Sequence, residues 1–358
     1  MDPIRPVIVA TGSYIPTVSV PNEDFLQHEF FDAEGKRIEK SAAEVLRQFE
    51  AITGIRERRY VSDELVTSDI ATRAAEDALE SSGIDRESID YLIVAHNFGD
   101  VRSGTRRSDM VPALAARVKY NLGIGNPRAV AYDLVFGCPG WLQGMITADY
   151  MVRSGGIKRA LVIGAETLSR VSDPHDRDSL IYADGAGAAI LEGIATTEPI
   201  GILSHAVRSD TIEHSRMLNM GPSYNASAIG DDLFLKMEGR KLYRYALQTV
   251  AGAIKECLDK AGLCLSQVKK LFLHQANEKM DEAILSALYT LYGAEIPAGV
   301  MPMTISWLGN SSVATLPTLF DLVVKGKIDN QKIESGDTAI FASVGAGMHI
   351  NAFAYRMP

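Results

Sequence analysis

The residue best placed to do chemistry is Cys138, which stands in the segment Asp133-Leu-Val-Phe-Gly-Cys138-Pro-Gly-Trp-Leu-Gln-Gly144. A short apolar run stops there at a glycine and an amphipathic segment begins, so the pattern predicts a strand that passes directly into a helix. The free N–H groups and the positive dipole end of a helix N-terminus stabilise an anion and lower the pKa of a thiol placed there. We therefore predict a nucleophile at Cys138, although a lone cysteine is more often a buried small apolar residue.

Two polar residues of the second half complete a possible constellation. His274 ends the apolar run in Leu271-Phe-Leu-His274-Gln-Ala-Asn277, before a helix predicted from Glu278, and Asn310 lies in a glycine turn before another helix. Because sites in doubly wound folds gather at the carboxyl ends of strands, we expect all three side chains to converge from different strand ends. Together they would supply a nucleophile, a proton-accepting partner and a neutral hydrogen-bond donor. Taken singly, such a histidine is often structural, and Asn after Gly often serves turn geometry.

Length and composition favour a soluble globular protein with two domains or one duplicated domain. The chain has 358 residues, more than one core usually supports, and its net charge of −9 argues against broad nucleic-acid binding. No apolar run is long enough to span a membrane, and nothing resembles a signal peptide. The three cysteines lack metal-type spacing, so we expect no metal site, a reduced cytoplasmic setting, and structural roles for Cys257 and Cys264.

The chain shows an internal repeat. Residues 74–96 and 253–275 both read, without a gap, as a helix, a glycine stop at Gly83 or Gly262, a turn and a buried strand. Later runs match in the same order: 159–164 with 338–343, and the predicted Gly-Ala-Gly strands 185–191 with 345–351. A repeat determines the architecture, so we predict a layered α/β fold with one half over residues 1–195 and the other over residues 196–358.

Two segments stand outside the repeat. Residues 97–109 form a long Gly- and Asp-rich connection between a strand and a helix, and such loops usually carry function or line an interface. Residues 204–236 are polar and irregular, and we expect them to form a lid over the entrance to the second half.

The chain resembles the β-ketoacyl-acyl carrier protein synthase III family of the thiolase superfamily. The resemblance runs over nearly the whole length and rests above all on His274-Gln-Ala-Asn277 and Gly309-Asn310-Ser-Ser combined with a cysteine in the first half. Other matching segments are Gly12-Ser-Tyr-Ile-Pro16, Thr53-Gly-Ile-Arg-Glu-Arg-Arg59, Ser154-Gly-Gly, Ser172-Asp-Pro and Ala183-Asp-Gly-Ala-Gly187. The family implies a five-layer thiolase-like αβαβα fold built from duplicated halves, a homodimer, and no cofactor. It also implies loading of Cys138 from an acyl-CoA or a carrier-bound primer, followed by decarboxylative Claisen condensation with malonyl acyl carrier protein.

The resemblance assigns roles by position in this chain. Cys138, His274 and Asn310 would be catalytic, and the backbone N–H groups of Cys138 and Ala346 would form the oxyanion hole. The family usually has glycine where Ala346 stands, and alanine fits only if its φ is negative. Arg244, Asn277 and Lys279 would meet the carrier protein or coenzyme A, and Met110 or Val111 would close the acyl pocket of the partner subunit.

The chain departs from the family where the adenine nucleotide is held. Gln48 and Ile52 stand where the family often has Trp and Arg, Lys279 replaces a common Arg, and Phe49 is the nearest ring that would replace the missing stacking partner. Lysine keeps the charge of arginine but loses the bidentate fork. We therefore expect poor use of acetyl-CoA and better use of a longer or carrier-linked primer.

Two other functions remain open at the level of sequence. An acyltransferase on the same fold would pass the acyl group from Cys138 to an alcohol or amine, but it would have no need of Asn310. A non-catalytic partner subunit of another synthase would be expected to have lost Cys138. Neither the Gly-x-Ser-x-Gly run of serine hydrolases nor the Gly-x-Gly-x-x-Gly run of dinucleotide enzymes is present.

Overall fold

The structure, a computed structural model, describes residues 2–227 and 230–358. The strands are β1 Ile4–Tyr14, β2 Val18–Pro21, β3 Glu57–Tyr60, β4 Tyr91–His96, β5 Asp100–Val101, β6 Ser108–Asp109, β7 Val130–Val135, β8 Arg159–Thr167, β9 Asp184–Ala195, β10 Gly201–Ser209, β11 Leu218–Gly221, β12 Phe234–Met237, β13 Val268–Leu273, β14 Thr338–Gly345 and β15 His349–Arg356. The helices are α1 Ala42–Thr53, α2 Thr67–Ser82, α3 Leu114–Asn121, α4 Gly140–Arg153, α5 Thr211–His214, α6 Gly239–Ala261, α7 Glu278–Leu291, α8 Ile305–Leu308 and α9 Thr315–Val324.

Two mixed sheets hold the molecule together. The first has the strand order β1-β9-β8-β4-β7, with β4 parallel to both β7 and β8. The second has the order β10-β15-β14-β13, with β13 parallel to β14. Strands β4, β8 and β14 are almost continuously apolar and buried, as expected for strands covered on both faces.

The sheets alternate with helices in five layers, which confirms the predicted thiolase-like αβαβα fold. Helices α2 and α3 pack with one face of the first sheet, and α6 and α7 pack with one face of the second. Helices α4 and α9 lie between the two sheets, where Trp141 and Phe320 pack among residues of both. The central layer therefore joins the two halves into one core.

The repeat is visible in the fold, and its helices end as the sequence predicts. Helices α2 and α6 both stop at a left-handed glycine, Gly83 and Gly262, each with φ of 66°. Each is followed by a 3-10 turn and then a buried strand, β4 or β13. Glycine is favoured at this position because it adopts the left-handed conformation without steric cost. The predicted boundary at residue 195 coincides with the end of β9.

Two expectations about local structure are wrong. Residues 345–351 do not form one strand, because β14 ends at Gly345 and β15 begins at His349 after a 3-10 turn. Residues 204–209 are not irregular, because they belong to β10, which pairs with β15 at the edge of the second sheet. The rest of the predicted lid holds the hairpin β11–β12, while residues 228 and 229 of that segment lie outside the described residues.

Within the described residues, no helix combines the length and apolar character needed to span a bilayer.

Candidate active site

Cys138 lies at the junction that the sequence predicts. Strand β7 ends at Val135 and α4 begins at Gly140, so the thiol stands two residues before the helix. Gly137 makes the sharp turn with φ of 74°. Cys138 therefore lies beside the positive end of α4.

Two glycines allow the turn around Cys138 to touch the turn after β14. A Cβ atom at Gly345 would lie 2.6 Å from the backbone nitrogen of Cys138. A Cβ atom at Gly137 would lie 2.9 Å from the backbone nitrogen of Ala346. Side chains on either glycine would push the turns apart, so this contact between the halves depends on glycine on both sides.

One cavity brings the predicted residues together. Cys138, His274 and Asn310 all line a space of about 200 Å³, together with the turn residues Gly137 and Ala346. The rest of the lining is mainly apolar and comes from both halves: Phe98, Leu168, Ile181, Leu218, Met220, Leu235, Met237, Leu242, Met280 and Val344. A few polar groups in an otherwise apolar cavity suit a reactive group attached to a hydrocarbon chain.

The protonation state of Cys138 differs from the expectation. Burial raises the pKa of the Cys138 thiol to about 11, and the nearby Glu166 carboxyl raises it further, although a hydrogen bond from Ser312 acts in the opposite direction. Burial therefore opposes the thiolate that we expected at neutral pH. The thiol is neutral at pH 7, and its proton must leave while the sulfur attacks.

His274 is a neutral imidazole at physiological pH. It follows β13, is 6% exposed, and its backbone N–H donates to the carbonyl of Ala342. Burial lowers the pKa of His274 to about 4. Its Nδ1 is buried without a hydrogen-bond partner among the described residues. The imidazole therefore acts as an uncharged donor or acceptor rather than as a fixed positive charge.

Asn310 reaches the cavity from a different kind of position than expected. It follows α8 and Gly309 rather than a strand, and its backbone N–H and C=O bond to Ile181 and Ala183 beside β9. Its side-chain Oδ1 accepts the backbone N–H of Ser312 at 2.8 Å. This bond fixes the orientation of the amide group. Its Nδ2 can then donate a hydrogen bond to a ligand.

Ser312 links Asn310 to the nucleophile. Its hydroxyl donates to the Cys138 sulfur at 3.3 Å, and its backbone adopts φ of 54° although it is not glycine. A buried non-glycine residue in the left-handed region costs on the order of 1–3 kcal/mol and persists only where its surroundings require it. The strain is located at the residue that contacts both Cys138 and Asn310.

Behind Ser312 lie two polar residues that the sequence analysis missed. Asn97 donates its amide Nδ2 to the Ser312 hydroxyl at 3.1 Å and to the Glu166 carboxyl at 2.6 Å. Glu166 is fully buried, and burial raises the pKa of its carboxyl to about 7. Asn97 follows β4 and Glu166 lies near the end of β8. Functional residues gather at the carboxyl ends of strands, and this rule predicted His274. Applied to every strand of the first half, it would have found Asn97 and Glu166 as well.

The proposed oxyanion hole is geometrically permitted. Ala346 lines the cavity beside Cys138, and it is absent from the described non-glycine residues with positive φ, whereas Gly347 and Met348 take φ of 80° and 51°. The condition that alanine adopt a negative φ is thus met. The left-handed turn falls on the next two residues instead.

The predicted docking residues lie outside this cavity. Arg244 is exposed on α6 and lines a second cavity with Arg216 and Lys241. Met217 also lines this second cavity, and the next residue in the sequence, Leu218, lines the Cys138 cavity. Lys279 is exposed at the start of α7. Asn277 caps that helix by accepting the Met280 N–H at 3.1 Å, so its side-chain oxygen has a structural partner.

Around the predicted nucleotide site, the structure corrects one expectation. Phe49 is 9% exposed and packs in the core beneath α1, with the Arg58 guanidinium 5.7 Å from its ring. It therefore offers no open face for an adenine ring, and its suggested stacking role is wrong. Gln48 accepts a hydrogen bond from Lys40, and Ile52 is exposed.

The loop residues proposed for the partner's pocket lie outside the cavity of this chain. Met110 and Val111 are 41% and 86% exposed, and neither lines the Cys138 cavity. The same connection starts with Asn97 and Phe98, which do line it. The 97–109 loop thus contributes to the site at its first residues only.

The hairpin β11–β12 forms part of the cavity wall. Residues of both its strands line the cavity, and Lys236 on β12 forms a buried ion pair with Asp173. This part of the 204–236 segment therefore borders the cavity, and its role as a lid stays a prediction. A charged side chain paired in the interior anchors the hairpin to the first half.

Comparison with known proteins gives a consistent picture. A family model described as 3-oxoacyl-[acyl-carrier-protein (ACP)] synthase III matches residues 132–211, and the model of its C-terminal part matches residues 258–357. The chain is 32% identical over 355 residues to a β-ketoacyl-[acyl-carrier-protein] synthase III of Erythrobacter litoralis (strain HTCC2594), covering 99% of each. It is similar to the structure of β-ketoacyl-[acyl carrier protein] synthase III from Thermus thermophilus (TM-score 0.80, 28% identity, 98% and 99% of the two chains). It is also similar to the priming β-ketosynthase of the R1128 polyketide biosynthetic pathway (TM-score 0.81, 25% identity, 100% and 97%).

Proposed function

The chain belongs to the β-ketoacyl-acyl carrier protein synthase III family, a group of condensing acyltransferases, and from this premise we propose that Cys138, His274 and Asn310 carry out its condensing reaction. The observation that supports this assignment is that the three side chains, from two halves of the chain, line one cavity. No observation favours the non-catalytic or the simple acyl-transfer alternative, and the nucleophile is retained.

In the loading step, the Cys138 sulfur attacks the carbonyl carbon of an acyl thioester. The new C–S bond forms, the bond to the departing thiol breaks, and the proton of Cys138 ends on that thiol. Because the thiol is neutral at pH 7, a base must accept the proton during attack, and neutral His274 is the base that we assign. The N–H groups of Cys138 and Ala346 stabilise the oxyanion of the tetrahedral intermediate.

In the condensing step, malonyl acyl carrier protein loses CO₂, and the electron pair of the broken C–C bond passes to the enolate oxygen. His274 and the Asn310 amide Nδ2 donate hydrogen bonds to that oxygen. The enolate carbon then attacks the acyl carbonyl on Cys138, a C–C bond forms, and the C–S bond breaks. The Cys138 thiolate takes up a proton from solvent, and a 3-oxoacyl carrier protein leaves.

The apolar lining of the cavity supports the proposal that the primer is longer than acetyl. Burying one methylene contributes about 0.8 kcal/mol, or roughly a fourfold gain in acylation kcat/KM for each carbon that fits. The altered residues at the nucleotide position, Gln48 and Ile52, add no gain for coenzyme A itself. We therefore propose a medium-length or branched acyl thioester, carried by coenzyme A or by the carrier protein.

Mass spectrometry of Cys138 tests the proposed function directly. After incubation with a mixture of acyl-CoAs from acetyl upward, we expect the adduct on the Cys138 peptide, dominated by chains longer than acetyl. Malonyl carrier protein should then remove the adduct and yield 3-oxoacyl carrier protein. The Cys257→Ser variant is the matched control, because Cys257 is buried at α6 and outside the cavity. Adducts on Cys257 or Cys264, or transfer of the acyl group to an alcohol, would contradict the assignment.

Several features of the assembly remain proposals. We propose a homodimer formed along β7, an edge strand whose exposed residues include Val130 and Val135. We propose docking of the carrier protein or coenzyme A phosphate at Arg244 and Lys279, both exposed and basic. We also propose a cytoplasmic location. We further propose catalysis without a cofactor or metal, because neutral donors supply the stabilisation that the enolate needs.

A further inference from the structure

A chain of hydrogen bonds runs from the interior of the first half to the nucleophile. Glu166 Oε2 accepts both the backbone N–H of Asn97 at 2.9 Å and its amide Nδ2 at 2.6 Å. The same Nδ2 donates to the Ser312 hydroxyl at 3.1 Å, and that hydroxyl donates to the Cys138 sulfur at 3.3 Å. The four residues come from the ends of β4 and β8 and from the turns before α4 and α9.

The direction of each bond in this chain is determined by the donors available. The Asn97 amide has two hydrogens, and one points to Glu166 while the other points to Ser312. A serine hydroxyl has a single hydrogen. Because Ser312 Oγ already accepts from Asn97, its own hydrogen is directed at the sulfur. Glu166 needs only to accept, and it does so whether or not it is ionised.

We propose that Ser312 is a catalytic hydrogen-bond donor to the Cys138 sulfur and that Asn97, held by Glu166, positions it. The proposal deepens the proposed function by adding a group for the two moments when sulfur carries negative charge. These are the loss of the thiol proton during loading and the departure of the thiolate during condensation. The Ser312 proton stays on oxygen throughout, so no bond to it breaks.

The backbone conformation of Ser312 supports a functional role rather than one in packing alone. The residue is 4% exposed, and its φ of 54° is uncommon for a side chain other than glycine. Its backbone N–H is bonded to Asn310 Oδ1 at the same time as its hydroxyl contacts sulfur. One strained residue thus orients the Asn310 amide and the hydrogen bond to Cys138 together.

The charged groups around these hydrogen bonds predict that Ser312 and Glu166 have opposite effects on the pKa of Cys138. Glu166 faces His96 on β4 and Asp184 on β9, and its burial places its ionisation near pH 7. Cys138 faces Glu166, Tyr182 and the neutral His274. An ionised Glu166 disfavours a thiolate at Cys138, whereas the Ser312 hydroxyl favours it.

The test is the rate at which iodoacetamide alkylates Cys138, measured by peptide mapping at pH 6 and pH 9. Ser312→Ala removes the donor and should slow alkylation about tenfold at both pH values, which corresponds to one pKa unit. Glu166→Gln keeps the acceptor oxygen but not the charge. It should leave the rate at pH 6 nearly unchanged and raise it several-fold at pH 9, where the wild-type carboxylate is ionised. Ser311→Ala is the matched control, since the Ser311 hydroxyl contacts Thr315.

A purely structural role would give another pattern. If Ser312→Ala and Glu166→Gln both slowed alkylation by the same factor at both pH values, the proposal would be overturned. Should Ser312→Ala fail to fold, Ser312→Gly tests the same loss, because glycine accepts the positive φ. Alkylation needs neither acyl-CoA nor malonyl carrier protein, so a failure of the condensing function would leave this readout intact.

Discussion

The two groups that line the cavity with Cys138 and that we propose for the condensing step are uncharged at pH 7. Burial lowers the pKa of His274 to about 4, and Asn310 is an amide fixed by Ser312. Neutral donors stabilise an enolate oxygen by hydrogen bonds. A fixed positive charge would also bind the malonyl carboxylate before the reaction and so stabilise the ground state. The electrostatics of the site therefore favour decarboxylation over simple binding of the acid.

Asn310→Ala should separate the half-reactions. Loss of one donor to the enolate is expected to lower the rate of malonyl decarboxylation about 100-fold or more. Loading of Cys138 does not use the Asn310 Nδ2 and loses only the acceptor that holds the Ser312 N–H, so it should fall far less than decarboxylation. The measurement is release of CO₂ from malonyl carrier protein beside formation of the Cys138 adduct. Equal loss of both half-reactions would refute this division of labour.

Glu166→Gln should change how stability depends on pH. The pKa of Glu166 is raised from 4.5 to about 7 in the folded chain by burial. The stabilisation that its neutral form provides is present below pH 4.5 and is lost as pH rises through 7, by about 3 kcal/mol in total. As pH rises from 4.5 to 8.5, the unfolding free energy of the glutamine variant should therefore increase relative to that of wild type by about 3 kcal/mol. Urea unfolding at both pH values measures it, with the exposed Glu80→Gln as the control that should show no such trend.

The sequence indicated the three residues that we propose as catalytic, because each stands in its own turn motif, and it missed the residues that support them. Cys138, His274 and Asn310 each interrupt an apolar pattern at a glycine or a strand end. The role of Ser312 depends on a positive φ and on Asn97, which lies 215 residues away in the chain. The neutral state of the Cys138 thiol depends on burial by both halves, which no local spacing reports.

At the scale of elements, the site depends on how closely two turns approach. The turn between β7 and α4 meets the turn between β14 and β15, and glycine on each side makes the contact possible. Sequence predicted the strand and helix that flank Cys138. It did not predict where β14 ends, because Gly345-Ala-Gly and Gly185-Ala-Gly look alike although only the second lies within a strand.

Gly345→Ala should disable loading with little loss of fold elsewhere. The added Cβ would meet the Cys138 nitrogen at 2.6 Å, so the turn must shift and the oxyanion donors separate. We expect Cys138 acylation to fall at least tenfold, in line with the loss of one well-placed donor. Gly252→Ala in α6 is the control, since a Cβ there meets nothing within 4 Å and alanine favours a helix. Unchanged acylation in Gly345→Ala would show that the donors are not held by this contact.

At the scale of the whole molecule, the two halves are related but unequal. Strands β4, β8 and β9 correspond to β13, β14 and β15, as the repeat predicts. The first sheet continues beyond β4 with β7, whereas the second, within the described residues, ends at β13. Beside β13 the chain instead makes isolated contacts, such as the Leu271 N–H with the Val300 carbonyl. Gapless motifs revealed the repeat, but they carried no signal for the strand present in one copy only.

The extra strand is where we expect the proposed homodimer to form. β7 pairs with β4 on one side and leaves its other edge open, and Val130 and Val135 on it are 43% and 56% exposed. An open edge strand with apolar side chains pairs readily with a second copy of itself, and a dimer would bury it.

Val135→Lys should therefore weaken the dimer, because a lysine buried between two copies would lack a partner. Light scattering after size exclusion should show a mass near twice 38.9 kDa for wild type and a larger monomer fraction for the variant. Val207→Lys is the matched control, since Val207 is 54% exposed on β10, an edge strand of the second sheet. If the Val207 variant dissociates and the Val135 variant does not, the interface lies along the second sheet, and Met110 and Val111 cannot reach the partner's cavity from β7.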